Sequence, residues 1–182
     1  MKRLENKNIL IAVTGCIGVF KICSLVSTLY KAKANVQVAM TRSSEGFVHP
    51  RSFQALSSRP VLRDGKQSIG DMGMDHIEFA RWADVFLVAP CTANTIAKLS
   101  LGLGDDIVST LSLSCTVSQL IAPAMNVEMY KKPVVQRNLE TLKSDGFTII
   151  PPEEGIMACG EEGVGRLAEE GILIKAIQDA LV

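Results

Sequence analysis

The chain has 182 residues, of which 47% are apolar and 21% charged, a composition that suits one globular domain with a sizeable core and argues against a disordered chain. Nineteen basic and nineteen acidic side chains cancel, and no basic stripe is present, which argues against a nucleic-acid binder. Five cysteines at positions 16, 23, 91, 115 and 159, with no CxxC pair and two histidines, argue against a disulfide framework or a structural zinc site and point to a reducing, cytoplasmic setting.

In chain order, the polar start Met1 to Lys7 lacks the apolar centre of a signal peptide, and no later run approaches the ~18 apolar residues of a membrane span. Residues 8–13 form an apolar run ending at Thr14-Gly15, the pattern of a strand buried on both faces. Residues 17–33 follow with Ile22, Leu25, Val26 and Leu29 at helical spacing. Further strands are expected at 36–40, at 84–89 before Pro90, at 119–122 before Pro123 and at 147–150 before Pro151. Helices are expected at 93–101, 105–114, 133–145 and 170–181, and His76 precedes an amphipathic helical stretch over 77–82. Alternating strands and helices predict a doubly wound, mostly parallel α/β sheet, a three-layer sandwich of Rossmann-like or flavodoxin-like type, in one domain over 1–182. Residues 58–75 are expected to form a long loop, and 153–168, with four glycines, an irregular segment.

Ligands of doubly wound sheets bind beyond the carboxyl ends of the strands. Four such ends carry small or hydroxyl residues: Thr14 to Gly18, Thr41 to Ser44, Pro90 to Asn94, and Pro123-Ala124-Met125-Asn126. Such residues at helix starts present N–H and hydroxyl donors to a phosphate. The first glycine pair is not GxGxxG, so a mononucleotide fits better than a dinucleotide. His76 titrates near neutrality and is a candidate acid or base, with a capping histidine as the plainer alternative; His49, before Pro50, is assigned no role. Cys159, bracketed by glycines in an irregular segment, is placed to react as a thiol proton donor. Cys16 and Cys91 are read as loop residues where a small side chain is wanted, and Cys23 and Cys115 as core.

Together these motifs resemble the homo-oligomeric flavin-containing cysteine decarboxylases, and within them the branch acting on phosphopantothenoylcysteine in coenzyme A biosynthesis. The likeness runs over nearly the whole chain. It rests first on Pro123-Ala124-Met125-Asn126 and Ala158-Cys159-Gly160, supported by Thr14-Gly15 with Ile17 and Lys21, Phe53 to Ser57, His76-Ile77-Glu78, Arg81 to Asp84, Thr92-Ala93-Asn94, Met129, Gly163, Gly165 and Arg166. The resemblance implies FMN as cofactor. It also implies a carboxy-lyase reaction: oxidation of the substrate cysteine to a thioaldehyde, loss of carbon dioxide to an enethiolate, then reduction by FMNH2 with Cys159 as proton donor. It implies His76, Asn126 and Cys159 as catalytic residues. Flavin contacts would come from Gly15, Cys16, Ile17, Thr41, Phe47, Pro90, Thr92, Asn94, Ser109, Ala124 and Met125. Substrate contacts would come from Asn126, Met129, Ala158, Gly160 and Arg166, and Cys159 would ride on a flap over 153–168. No metal is implied. A homotrimer or a dodecamer of trimers, with flavin between subunits, is implied as well, and a mean hydropathy of +0.24 agrees with assembly.

Cys16, Gly18, Phe20, Cys91 and Tyr130 depart modestly from the usual pattern and bear on flavin contacts alone. A peptidyl-cysteine decarboxylase of lantibiotic maturation shares the histidine and the Pro-x-Met-Asn element, but stops at the enethiol and needs no Ala-Cys-Gly. A flavin prenyltransferase lacks the pattern at 123–126. A non-catalytic FMN-binding regulatory subunit, the alternative from another class, tends to lose a catalytic residue or gain an acidic tail. The end at Val182 suits a standalone enzyme or the decarboxylase part of a bifunctional chain.

Overall fold

The computed structural model describes residues 2–64, 75–158 and 160–181. Six strands form one sheet: β1 (Asn8–Val13), β2 (Asn35–Met40), β3 (Leu62–Arg63), β4 (Val85–Cys91), β5 (Gln119–Pro123) and β6 (Thr148–Ile149). They lie in the order β3-β2-β1-β4-β5-β6 with every pairing parallel. That is the Rossmann order, in which the winding reverses between β1 and β4. Of the two sheet types the sequence leaves open, this is the one formed.

A parallel sheet is covered on both faces, and its strands divide their side chains between two cores. In β1, Ile9, Ile11 and Val13 enter one core, Leu10 and Ala12 the other; β4 divides likewise, with Val85, Leu87 and Ala89 opposite Phe86 and Val88. α1 (Val19–Lys31) and α8 (Glu170–Ala180) cover the first face through Ile22, Leu25, Leu29, Leu173 and Ile177. α4 (Ala93–Ser100), α5 (Ile107–Ser114) and α7 (Pro133–Ser144) cover the second through Ile96, Leu111 and Leu139. At about 25 cal/mol per Å² of apolar surface removed from water, these two cores are the main source of stability.

Several segments differ from expectation. Within 58–75, Leu62 and Arg63 pair with Ala39 and Met40 as an edge strand, and Gln37 Nε2 donates to the Pro60 carbonyl at 2.7 Å; residues 65–74 lie outside the described residues. His76 is the second residue of α3 (Asp75–Trp82) and not a residue ahead of it. Residues 50–57 form α2 (Pro50–Ser57), too short to show a period. Pro50 at its start has the φ a first turn needs, and His49 Nδ1 accepts the Arg51 N–H at 3.2 Å, so this histidine is a helix cap. Cys91 ends β4, fully buried, where a loop was expected.

The segment expected to be irregular forms an antiparallel hairpin, β7 (Glu153–Ile156) with β8 (Glu162–Arg166), pairing Gly155 with Gly163 and Ile156 with Glu162. Its alternation is hidden by glycine, which is there for contact. A β-carbon on Gly163 would lie 2.6 Å from Val127 Cγ2, and one on Gly165 would strike the Met125 carbonyl. The hairpin therefore lies with its backbone directly on the turn after β5 and on the short helix α6 (Val127–Lys131).

Candidate functional site

Where the winding reverses, Thr14 joins the carboxyl ends of the two central strands. Its buried hydroxyl donates to the Pro90 carbonyl at 2.7 Å and accepts the Thr92 N–H at 3.0 Å. The neighbouring turns are tied in by backbone: Thr41 N–H to Val13 O at 3.1 Å, Ala124 N–H to Cys91 O at 3.0 Å, and Met125 N–H to Gly165 O at 3.0 Å. All four strand ends singled out from sequence, together with the hairpin, thus form one hydrogen-bonded crest.

Gly15 lies against the turn after β2, where a β-carbon would come within 2.7 Å of the Ser43 β-carbon. The Ser43 hydroxyl is 3.1 Å from the buried Thr41 hydroxyl. Thr92 caps α4, accepting the Thr95 N–H at 3.3 Å, and Asn94 is exposed in the first turn of that helix. Ile17 and Phe47, each about half exposed (54% and 49%), follow β1 and β2. A glycine that admits close approach, three hydroxyls beside a helix start and two exposed apolar side chains fit a phosphate joined to a flat ring system.

Next to this crest opens a cavity of about 520 Å³. It is lined by Cys16, Ile17 and Phe20 after β1, by Ala124, Met125 and Asn126 after β5, and by Ile156, Met157 and Ala158 of the hairpin. Lys21 and Arg166 also border it, and both reach Glu169, at 3.6 and 3.5 Å. Burial pushes the Cys16 thiol up, so it stays protonated. Full burial does the same to Cys91, and Cys115 is pushed up to about 12.

Asn126 is the N-cap of α6. Its Oδ1 accepts the Glu128 N–H at 2.8 Å and the Met129 N–H at 3.4 Å, and its Nδ2 donates to Glu161 Oε2 on the hairpin. Met129 is exposed in α6, and Gly160, at φ +86°, turns the hairpin tip.

Other expected site residues lie apart. Ser109 is fully buried within α5, where its hydroxyl completes a capping box with Asp106, so its hydrogen bonding is spent on the helix start. His76 sits on α3, which packs on α5, and it does not line the cavity. Cys159 lies outside the described residues. Conversely, the sequence reading gave no role to Thr14, Lys21, Ser43 or Glu161 individually. A hydroxyl directly after a buried strand was the available sign for Thr14; none marks Glu161 among its acidic neighbours. Among the described residues no helix is long and apolar enough to cross a membrane, and no cluster of His, Cys, Asp and Glu could hold a metal ion.

Residues 1–182 match the family profile described as Flavoprotein. The chain belongs to the Flavoprotein family. Among curated proteins, the coenzyme A biosynthesis bifunctional protein CoaBC of Bacillus subtilis (strain 168) is 47% identical over 172 residues, which cover 94% of this chain and 42% of that protein. This Flavoprotein-family chain therefore spans less than half the length of the curated relatives it matches. Among solved structures, the FMN-dependent cysteine decarboxylase SpaF superposes with a TM-score of 0.84 at 29% identity, over 98% of this chain and 97% of that one. A PPC decarboxylase with one cysteine-to-serine substitution, complexed with pantothenoylaminoethenethiol, gives 0.83 at 30% identity, over 96% and 97%.

Proposed function

We propose that this chain is an FMN-dependent decarboxylase that converts 4′-phosphopantothenoylcysteine to 4′-phosphopantetheine in coenzyme A biosynthesis. The observation that carries the reading is the Asn126 amide in the cavity lining. Its oxygen is occupied by the helix cap, so the group it turns to a ligand is its N–H donor pair, suited to a carboxylate and adding no charge. The likeness to CoaBC and to FMN-dependent cysteine decarboxylases supports the same chemistry.

FMN held at this crest would supply the reversible two-electron redox chemistry that the decarboxylation needs. Gly15, Thr41, Ser43 and Thr92 would hold its phosphate end, and Ile17 and Phe47 would cover apolar surface. Asn126 Nδ2 orients the substrate carboxylate. Buried Ala124 and Met125 exclude water beside the reacting carbon. Lys21 and Arg166 supply positive charge for the substrate phosphate, with Glu169 holding both side chains in place until it arrives. Cys159 is assigned the final proton on sequence alone. His76 is given the role of assisting the oxidation; since it does not line the cavity of its own chain, that role calls for a site shared with a neighbouring protomer of a homotrimer or dodecamer.

The purified protein should show an FMN absorption spectrum, and incubation with 4′-phosphopantothenoylcysteine should release a product lighter by carbon dioxide alone. A colourless protein that takes up no FMN sinks the reading. A product lighter by two further hydrogens, formed only from peptides ending in cysteine, replaces it with peptidyl-cysteine decarboxylation.

A further inference from the structure

In the free fold Asn126 already holds a carboxylate, and that carboxylate belongs to the chain itself. Glu161 lies at the hairpin tip, one residue before β8, with Oε2 in hydrogen-bonding contact with Asn126 Nδ2. The surroundings deliver it there. The Met157 N–H donates to the Glu161 carbonyl at 2.8 Å and the Gly160 N–H to the Met157 carbonyl at 2.9 Å, closing the tip. The following strand is anchored by the bond from Met125 N–H to Gly165 O and by Gly163 against Val127.

We propose that Glu161 is an internal substitute for the substrate carboxylate, a positioning residue that selects for carboxylated ligands. It holds the hairpin to Asn126 in the free enzyme, is displaced when the substrate carboxylate takes the same donor, and returns once that carboxylate has left as carbon dioxide. Although the amide nitrogen carries two N–H donors, two carboxylates held at it repel each other, so the substrate carboxylate and Glu161 compete for the site. A decarboxylated product has no group to keep Glu161 away, so the bond to Asn126 is present both with and without product and leaves product affinity untouched. The inference rests on the proposed decarboxylase function and deepens it.

Calorimetry on the FMN-loaded chain tests this with two ligands. One is 4′-phosphopantothenoylalanine, which keeps the carboxylate but has no thiol to oxidise; the other is 4′-phosphopantetheine, which has no carboxylate. Glu161→Ala should bind the first about threefold to tenfold more tightly, the yield of removing one competing charge-assisted hydrogen bond. Its affinity for the second should be unchanged, and Glu161→Gln should fall between the wild type and Glu161→Ala. An equal shift for both ligands, or none, overturns the proposal. Hydrogen exchange without ligand supplies a second readout: the backbone of 153–166 should exchange faster in Glu161→Ala, and unchanged exchange overturns the latch. Failure of the wild type to bind either compound would sink the substrate assignment instead, leaving hydrogen exchange to decide on the latch.

Discussion

Asn126 divides its amide between two tasks, and the division makes one substitution unusually informative. The oxygen caps α6 through the Glu128 and Met129 N–H groups, while the nitrogen donates to Glu161 of the hairpin beside the cavity. Asn126→Asp keeps an oxygen for the cap, so the turn and the flavin crest should survive. It replaces the only outward donor with an acceptor bearing the same charge as the substrate. Loss of a hydrogen bond to a charged group, with repulsion added, corresponds to about 3 kcal/mol, or roughly a hundredfold fall in kcat. Single-turnover kinetics with an FMN spectrum as control check this; near-normal turnover would remove Asn126 from the mechanism. The residue was legible as part of Pro-Ala-Met-Asn. Glu161, its partner, was not, because an acid at a hairpin tip reads the same whether it faces water or a neighbouring amide.

At the scale of elements, legibility followed burial. β1 and β4 are enclosed on both faces and read as unbroken apolar runs, so their positions were plain from sequence within a residue or two. The β7–β8 hairpin has no such signature, since it lies on the crest through glycine backbone and not through apolar side chains. Ser109 is the opposite case, a residue assigned to the cofactor by resemblance whose spacing from Asp106 also carries the signature of a helix start, the role its hydrogen bonds fill in this fold. Burial acts to raise the Asp106 carboxyl, but hydrogen bonds from Lys98 and Ser109 outweigh it and hold the group below the usual range. A carboxyl depressed in the folded state stabilises above its unfolded pKa and loses that contribution as pH falls through the folded value. Ser109→Ala should therefore cost about 1 kcal/mol at neutral pH, move acid unfolding to higher pH, and leave FMN affinity unchanged. Denaturant titrations and a flavin-binding isotherm separate the two roles; a fall in FMN affinity without loss of stability would assign Ser109 to the cofactor instead.

For the whole molecule, His76 does not line the cavity of its own chain, so a catalytic role for it would need a second protomer. Ile17, Phe20 and Ile156 are 54%, 57% and 70% exposed around that cavity, an arrangement of apolar side chains that bound ligand and a second protomer would cover. If each site takes His76 from one protomer and Asn126 from the next, two impaired variants can rescue each other. His76→Asn and Asn126→Asp, each severely impaired alone, should regain activity when coexpressed and copurified. In a cyclic assembly with random equal mixing, one interface in four pairs an intact His76 with an intact Asn126, so activity should recover to about a quarter of the wild type. Were both residues needed from the same chain, every chain in the mixture would carry a lesion and activity would stay at the level of the separate variants. Mass spectrometry of the intact assemblies confirms that mixing has occurred, so a failure to recover would place the two residues in one chain or remove His76 from the reaction.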